Sequence, residues 1–118
     1  MDLVELFRHQ LDVLNLSAGQ VLFKEGDQGN FMYVLTSGTA EIIVHNTVVE
    51  TMAAGDIVGE MAIIDDCERS ATVAAKSDCK FLPIERERFN FLVQQKPEFA
   101  LHVMRVLVQR LRKTDAIL

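Results

Sequence analysis

Phe31-Met32-Tyr33-Val34-Leu35-Thr36-Ser37-Gly38-Thr39-Ala40-Glu41-Ile42-Ile43-Val44-His45-Asn46-Thr47-Val48-Val49-Glu50-Thr51-Met52 holds three short apolar runs and two turns. Phe31 to Leu35 ends in Ser37-Gly38, Glu41 to Val44 ends in His45-Asn46, and Val48 to Met52 follows. Runs this short between Gly and Asn turns read as strands. Val44 to Val48 reads as a tight hairpin, because Asn tolerates the left-handed backbone that such a turn needs. Working outward, Val21-Leu22-Phe23 stops at Lys24 to Asn30, and further strands fit Ala71 to Ala75 and Lys80 to Ile84. This spacing predicts a mainly β chain, a β-roll or jelly-roll barrel of about eight strands across residues 11–84.

Helical periodicity occupies the two ends. Leu3, Val4, Leu6 and Phe7 fit a short amphipathic N-terminal helix. Residues 85–118 read as two C-terminal helices, Glu85 to Gln95 and about Glu98 to Lys113, separated at Lys96-Pro97. The last helix has two apolar stripes, Phe99/Val103/Val106/Leu107 and Leu101/Met104/Val108/Leu111. One stripe would pack on the barrel, and the other asks for a partner or for a tail folded back as a lid. Arg110, Arg112 and Lys113 near its end read as dipole compensation. Residues 1–118 are expected to form one domain.

Composition narrows the function. The 118 residues carry a formal net charge of -5, which disfavours a nucleic acid or an anionic membrane as direct partner. No apolar run approaches the ~20 residues of a membrane span, and the N-terminus has no secretory pattern. A cytoplasmic location is expected. Cys67 and Cys79 lack metal spacing, and His9, His45 and His102 are scattered, so the cysteines read as reduced thiols and no metal site is expected. No nucleophile–base pair converges, and the chain reads as not an enzyme.

The chemistry concentrates in Gly59-Glu60-Met61-Ala62-Ile63-Ile64-Asp65-Asp66-Cys67-Glu68-Arg69-Ser70-Ala71-Thr72-Val73. Glu60 to Ile64 can form one helical turn whose free N–H groups suit an anion. Gly59 permits close approach of a ligand or backbone. Arg69 supplies a planar, permanently charged fork for two phosphate oxygens, and Ser70 adds a hydroxyl. Glu60 is an acceptor for a sugar hydroxyl beside that phosphate. An acid for the sugar next to a cation for the phosphate describes a nucleotide site.

Gly59-Glu60-x-Ala62 followed by Arg69-Ser70-Ala71-Thr72-Val73 resembles the phosphate-binding cassette of cyclic-nucleotide-binding domains, found in catabolite activators, cyclic-nucleotide-dependent kinases and gated channels. The resemblance extends over almost the whole chain, through Phe31 to Leu35 with Gly38, Gly55 to Glu60, and Lys96-Pro97 with the following helix. Val58 stands where many members carry an aromatic residue. The resemblance implies that Glu60 binds the ribose 2′-hydroxyl and that Arg69 neutralises the cyclic phosphate. Ser70 and the amides near Met61 and Ala62 would complete the cradle. Ile42 and Val49 fall where the family packs the base, and Arg110 and Thr114 where some members contact it.

The implied function is a cyclic-nucleotide sensor for cyclic AMP or cyclic GMP with no other cofactor. Phosphate capture would pull the cassette inward, and the C-terminal helices would swing over the base. The output would belong to an effector protein or domain, on another chain or beyond this fragment. The alternative is a degenerate domain without useful nucleotide affinity, serving as a protein-interaction or dimerisation module. Because the last helix is short, any homodimer through it is expected to be weak.

Overall fold

The computed structural model describes the backbone of residues 1–117 and the side chains of residues 1–113. Eight strands follow the short helix α1 (Leu3–Phe7): β1 (Leu14–Leu16), β2 (Val21–Phe23), β3 (Phe31–Ser37), β4 (Ala40–Val44), β5 (Thr47–Met52), β6 (Ile57–Val58), β7 (Thr72–Ala75) and β8 (Cys79–Glu85). Helix α2 (Glu60–Asp65) interrupts them between β6 and β7, and α3 (Arg86–Gln95) and α4 (Pro97–Ile117) close the chain. The strands form two four-stranded antiparallel sheets, ordered β1-β8-β3-β6 and β2-β7-β4-β5. The mainly β fold with terminal helices is therefore as the sequence predicts.

The opening segment folds as its turns require. Val44 pairs with Thr47, so His45 and Asn46 form a two-residue hairpin loop with φ of 48° and 65°. Two consecutive left-handed residues suit a primed turn, whose twist matches the strands. The run Phe31 to Leu35 lacks polar alternation because the sheet is covered on both faces. Met32 and Val34 of β3 join a core shared with the helices, alongside Leu3, Leu82, Ile84, Phe99 and Val103. Leu35, with Tyr33 packed alongside, joins a second core with Ile42, Val73 and Phe81 from both sheets.

Helix α4 carries the two stripes on different surfaces. Phe99 and Val103 are fully buried, with Val106 and Leu107 partly buried against the same core. The Phe99 ring sits edge-on to Phe7 at 6.3 Å and to Phe89 at 5.7 Å, tying α4 to α1 and α3. Leu101, Met104, Val108 and Leu111 stay exposed. Docking of Phe99 and Val103 carries Val106 and Leu107 of the same stripe inward. Instead of ending near Lys113 and folding back, α4 continues unbroken to Ile117. The side chain of Ile117, and Leu118, lie outside the described residues. No helix among them is long and apolar enough to cross a membrane.

Candidate functional site

The cassette helix begins at a glycine. Gly59 has φ of 79°, a left-handed value that costs an L side chain about 1 kcal/mol or more, and it precedes Glu60, the first residue of α2. Glycine is needed for space as well. A Cβ on Gly59 would stand 2.6 Å from Arg69 Nη1. One on Gly29 would stand 2.3 Å from Arg69 Nη2. The guanidinium thus lies in a slot between two glycines from separate loops.

Arg69 is held from several directions. Its backbone N–H donates to the Asp27 carbonyl at 2.8 Å, and its own carbonyl accepts from the Gly26 N–H at 2.8 Å. Its Nη2 donates to the Phe31 carbonyl at 2.8 Å and its Nη1 to the Gly59 carbonyl at 3.4 Å. The guanidinium carbon lies 4.1 Å from the centroid of the Phe23 ring, a cation–π arrangement. Only 5% of the residue is exposed. Burial pushes the Arg69 guanidinium below its ordinary value, against the nearby Tyr33, Cys67, Asp27 and Glu60. A buried cation in that condition gains from an anion beside it. Arg69 is therefore also a structural residue, its backbone bonded to Gly26 and Asp27 and its guanidinium seated against Phe23.

Glu60 is 2% exposed and takes its partner from α4. Arg110 Nη1 donates to Glu60 Oε1, and Arg110 Nη2 donates to Glu50 Oε2 at 3.1 Å and to the Ile57 carbonyl at 2.7 Å. Lys113 Nζ adds a contact to Glu50 Oε1 at 3.2 Å. Dipole compensation therefore does not describe Arg110, since its guanidinium bridges two carboxylates. Burial acts against the Arg110 cation, but Glu60 and Glu50 outweigh it and hold the group above its ordinary value. Burial likewise pushes Glu50 up, but Arg110 and Lys113 prevail and hold it below its ordinary value.

Glu60, Arg69 and Arg110 border one cleft with room of about 100 Å³. Gly59, Glu60, Met61, Ala62, Arg69, Ser70, Ile42 and Arg110 all line it, so eight of the ten residues singled out in the sequence converge. Val49 is 55% exposed on β5, an edge strand, and does not line the cleft. The Thr114 side chain lies outside the described residues. The Ala62 N–H already bonds the Gly59 carbonyl at 3.2 Å. Sequence reasoning missed Phe23, Gly29 and Glu50. Gly29 was readable only as a turn residue, and nothing local marks Phe23 or Glu50 as partners of distant arginines. Two buried polar atoms have no hydrogen-bond partner among the described residues: Glu60 Oε2, an acceptor, and Arg69 Nε, a donor. No cluster of metal-ligating side chains occurs among the described residues.

Residues 13–96 match the family model of the cyclic nucleotide-binding domain. The chain is 34% identical over 79 residues to Rap guanine nucleotide exchange factor 3 of Homo sapiens, covering 65% of this chain and 9% of that protein. It is 38% identical over 85 residues to a cAMP-dependent protein kinase regulatory subunit of Emericella nidulans, covering 70% of this chain and 21% of that protein. The fold is similar to the crystal structure of Thermus thermophilus catabolite activator protein, with TM-score 0.82 and 28% identity over 95% of this chain and 55% of that one. The chain thus spans a small part of the curated relatives.

Proposed function

The chain belongs to the cyclic nucleotide-binding domain family, and we propose that it captures a purine nucleoside cyclic monophosphate in this cleft and passes its occupancy on to an effector. The observation that carries the reading is the pair of unpartnered buried atoms, Glu60 Oε2 and Arg69 Nε, on residues that line one cleft. One lacks a donor and the other lacks an acceptor. A ribose hydroxyl supplies the first and the adjacent cyclic phosphate the second. Leaving such groups buried and unpaired costs about 1–3 kcal/mol each, which a ligand of that chemistry recovers.

The roles follow from position. Arg69 and the Ser70 hydroxyl take the phosphate at the start of α2, with the amides around Met61 and Ala62 beside it. Glu60 takes the ribose 2′-hydroxyl. The base packs toward Ile42 and Arg110. A hydroxyl on Glu60 Oε2 shares the carboxylate with Arg110 on Oε1, so capture is felt on α4. The effector is a partner protein or a further domain, and the chain contributes no catalytic step of its own.

Calorimetric titration with cyclic AMP and with cyclic GMP tests this directly. At a hundred times the dissociation constant, the bound nucleotide stabilises the fold by about 2.7 kcal/mol and raises the melting temperature accordingly. Absence of heat and of any melting shift with both nucleotides at millimolar concentration would favour the degenerate, affinity-free module.

The exposed stripe of α4 supports a second element, a weak homodimer. Leu101, Met104, Val108 and Leu111 recur at alternating spacings of three and four, the seam of paired helices. Soluble monomers seldom leave such a contiguous patch in water, and two-fold pairing covers it. Sedimentation across a hundredfold concentration range is expected to show a rising mass that Val108→Glu abolishes. A mass that stays monomeric throughout would remove the dimer.

A further inference from the structure

The far end of the cassette helix is closed by a residue from another helix. An α-helix leaves its last four carbonyls unpaired. In α2 one of these, the Ile63 carbonyl, accepts from Arg86 Nε at 3.0 Å. Arg86 Nη2 also donates to the carboxylate of Asp66, the left-handed residue that caps α2 with φ of 46°. Arg86 is the first residue of α3, 23 positions along the chain from Ile63. One guanidinium therefore joins the last turn of α2 to the first turn of α3.

The rest of α3 is held by partial burial and by Phe89 against Phe99 of α4 at 5.7 Å. None of its residues is fully buried; Phe89, Leu92 and Val93 are partly buried against the core. Arg88 ties it on another side, to Asp12 at 2.8 Å and Gln10 at 2.7 Å. Both anchors in its first turn are arginine forks, and only Arg86 reaches the cassette.

We infer that Arg86 is a positioning residue that makes α3 follow α2, so that a displacement of the cassette helix reaches the C-terminal helices through its bond to the Ile63 carbonyl and Asp66. The ion pair itself lies in solvent, with side chains 52% and 73% exposed, and an exposed pair of that kind contributes little stability. Its value is geometric. A planar fork that bonds a carbonyl and a carboxylate together fixes the angle between two elements, which a lysine cannot do. The inference rests on the cyclic-nucleotide reading only for what displaces α2 in use. The tie itself is testable without ligand.

Ile64 supplies the ligand-free test. It is 54% exposed on α2, so Ile64→Gly loosens that helix without opening the core. Hydrogen exchange of the α3 amides is followed in the original chain, I64G, R86Q and the double variant. Ile64→Gly is expected to speed exchange in both α2 and α3, by about five-fold. In the R86Q background the same change should speed α2 alone. Effects on α3 that multiply in the double variant overturn the inference, because independent sites add in free energy. Arg86→Lys, which keeps the charge and loses the fork, should behave as R86Q does and serves if that variant folds poorly. Cyclic AMP supplies a second perturbation: α3 should respond to it in the original chain and fall silent in R86Q while α2 still responds. If the original chain binds no nucleotide, the ligand reading falls and the Ile64→Gly cycle still decides the tie.

Discussion

Arg69→Lys lowers affinity for the cyclic nucleotide by about a hundred-fold, and Arg69→Ala abolishes measurable binding while also destabilising the fold. The first effect follows from chemistry. A charge-assisted hydrogen bond is worth roughly 1.5–3 kcal/mol, and lysine cannot offer two parallel N–H groups to two phosphate oxygens. The second follows from the contacts that Arg69 makes within the protein. Alanine there removes the bonds to the Phe31 and Gly59 carbonyls and the stacking over Phe23. Part of that loss is offset because a poorly compensated buried cation disappears, so about 2–4 kcal/mol of stability goes. Gly29→Ala is the independent check. Its new Cβ would meet Arg69 Nη2 at 2.3 Å, so the guanidinium must leave its slot with every ligand-facing residue still present. Calorimetry and thermal melts on all three variants decide the matter. Should Gly29→Ala bind as the original chain does, the slot does not position the arginine. Should Arg69→Ala destabilise the fold yet spare the affinity of the folded fraction, the arginine is structural only.

Glu60→Ala has the next largest consequence. It removes the carboxylate expected to hold the ribose hydroxyl, which costs about 10- to 100-fold in affinity. It also strips Arg110 of one partner. Breaking a buried pair from one side costs roughly 3–5 kcal/mol, and Arg110 keeps Glu50 and the Ile57 carbonyl, so about 3 kcal/mol is expected. Glu60→Gln should be milder in both respects, since its amide oxygen still accepts a hydrogen bond. Melting and titration of the two variants separate the contributions: equal losses in alanine and glutamine would mean that the charge on Glu60, and not its acceptor, does the work. The same network sets an acid limit. Glu50 is held below its ordinary value of 4.5 in the folded chain. The stability it contributes is complete above the unfolded value and is lost as the pH falls through the lowered folded one. Acid unfolding should therefore begin with release of α4, visible as early exchange of its amides, and Glu50→Gln should flatten that part of the pH profile.

Much of this molecule is readable along the chain. Phe31 to Leu35, Glu41 to Val44, Val48 to Met52, Ala71 to Ala75 and Lys80 to Ile84 are strands by length and punctuation alone, and the hairpin at His45-Asn46 follows from turn chemistry. Glycine, glutamate and arginine at their spacings in residues 59–70 mark the candidate site, because the cassette lies within one short stretch. Strands β1 and β6 are not legible along the chain, and only pairing with β8 and β3 makes them strands. The partners of the charges were not legible either. Phe23 and Gly29 reach Arg69 across some forty residues because β2 pairs with β7, the strand that follows the cassette. Arg110 looks like a helix-end cation until burial of Phe99 and Val103 seats α4 against the barrel and brings it to Glu60 and Glu50. Local propensity decides what each segment becomes, whereas the pairing of two distant charges depends on where apolar burial docks the elements that carry them.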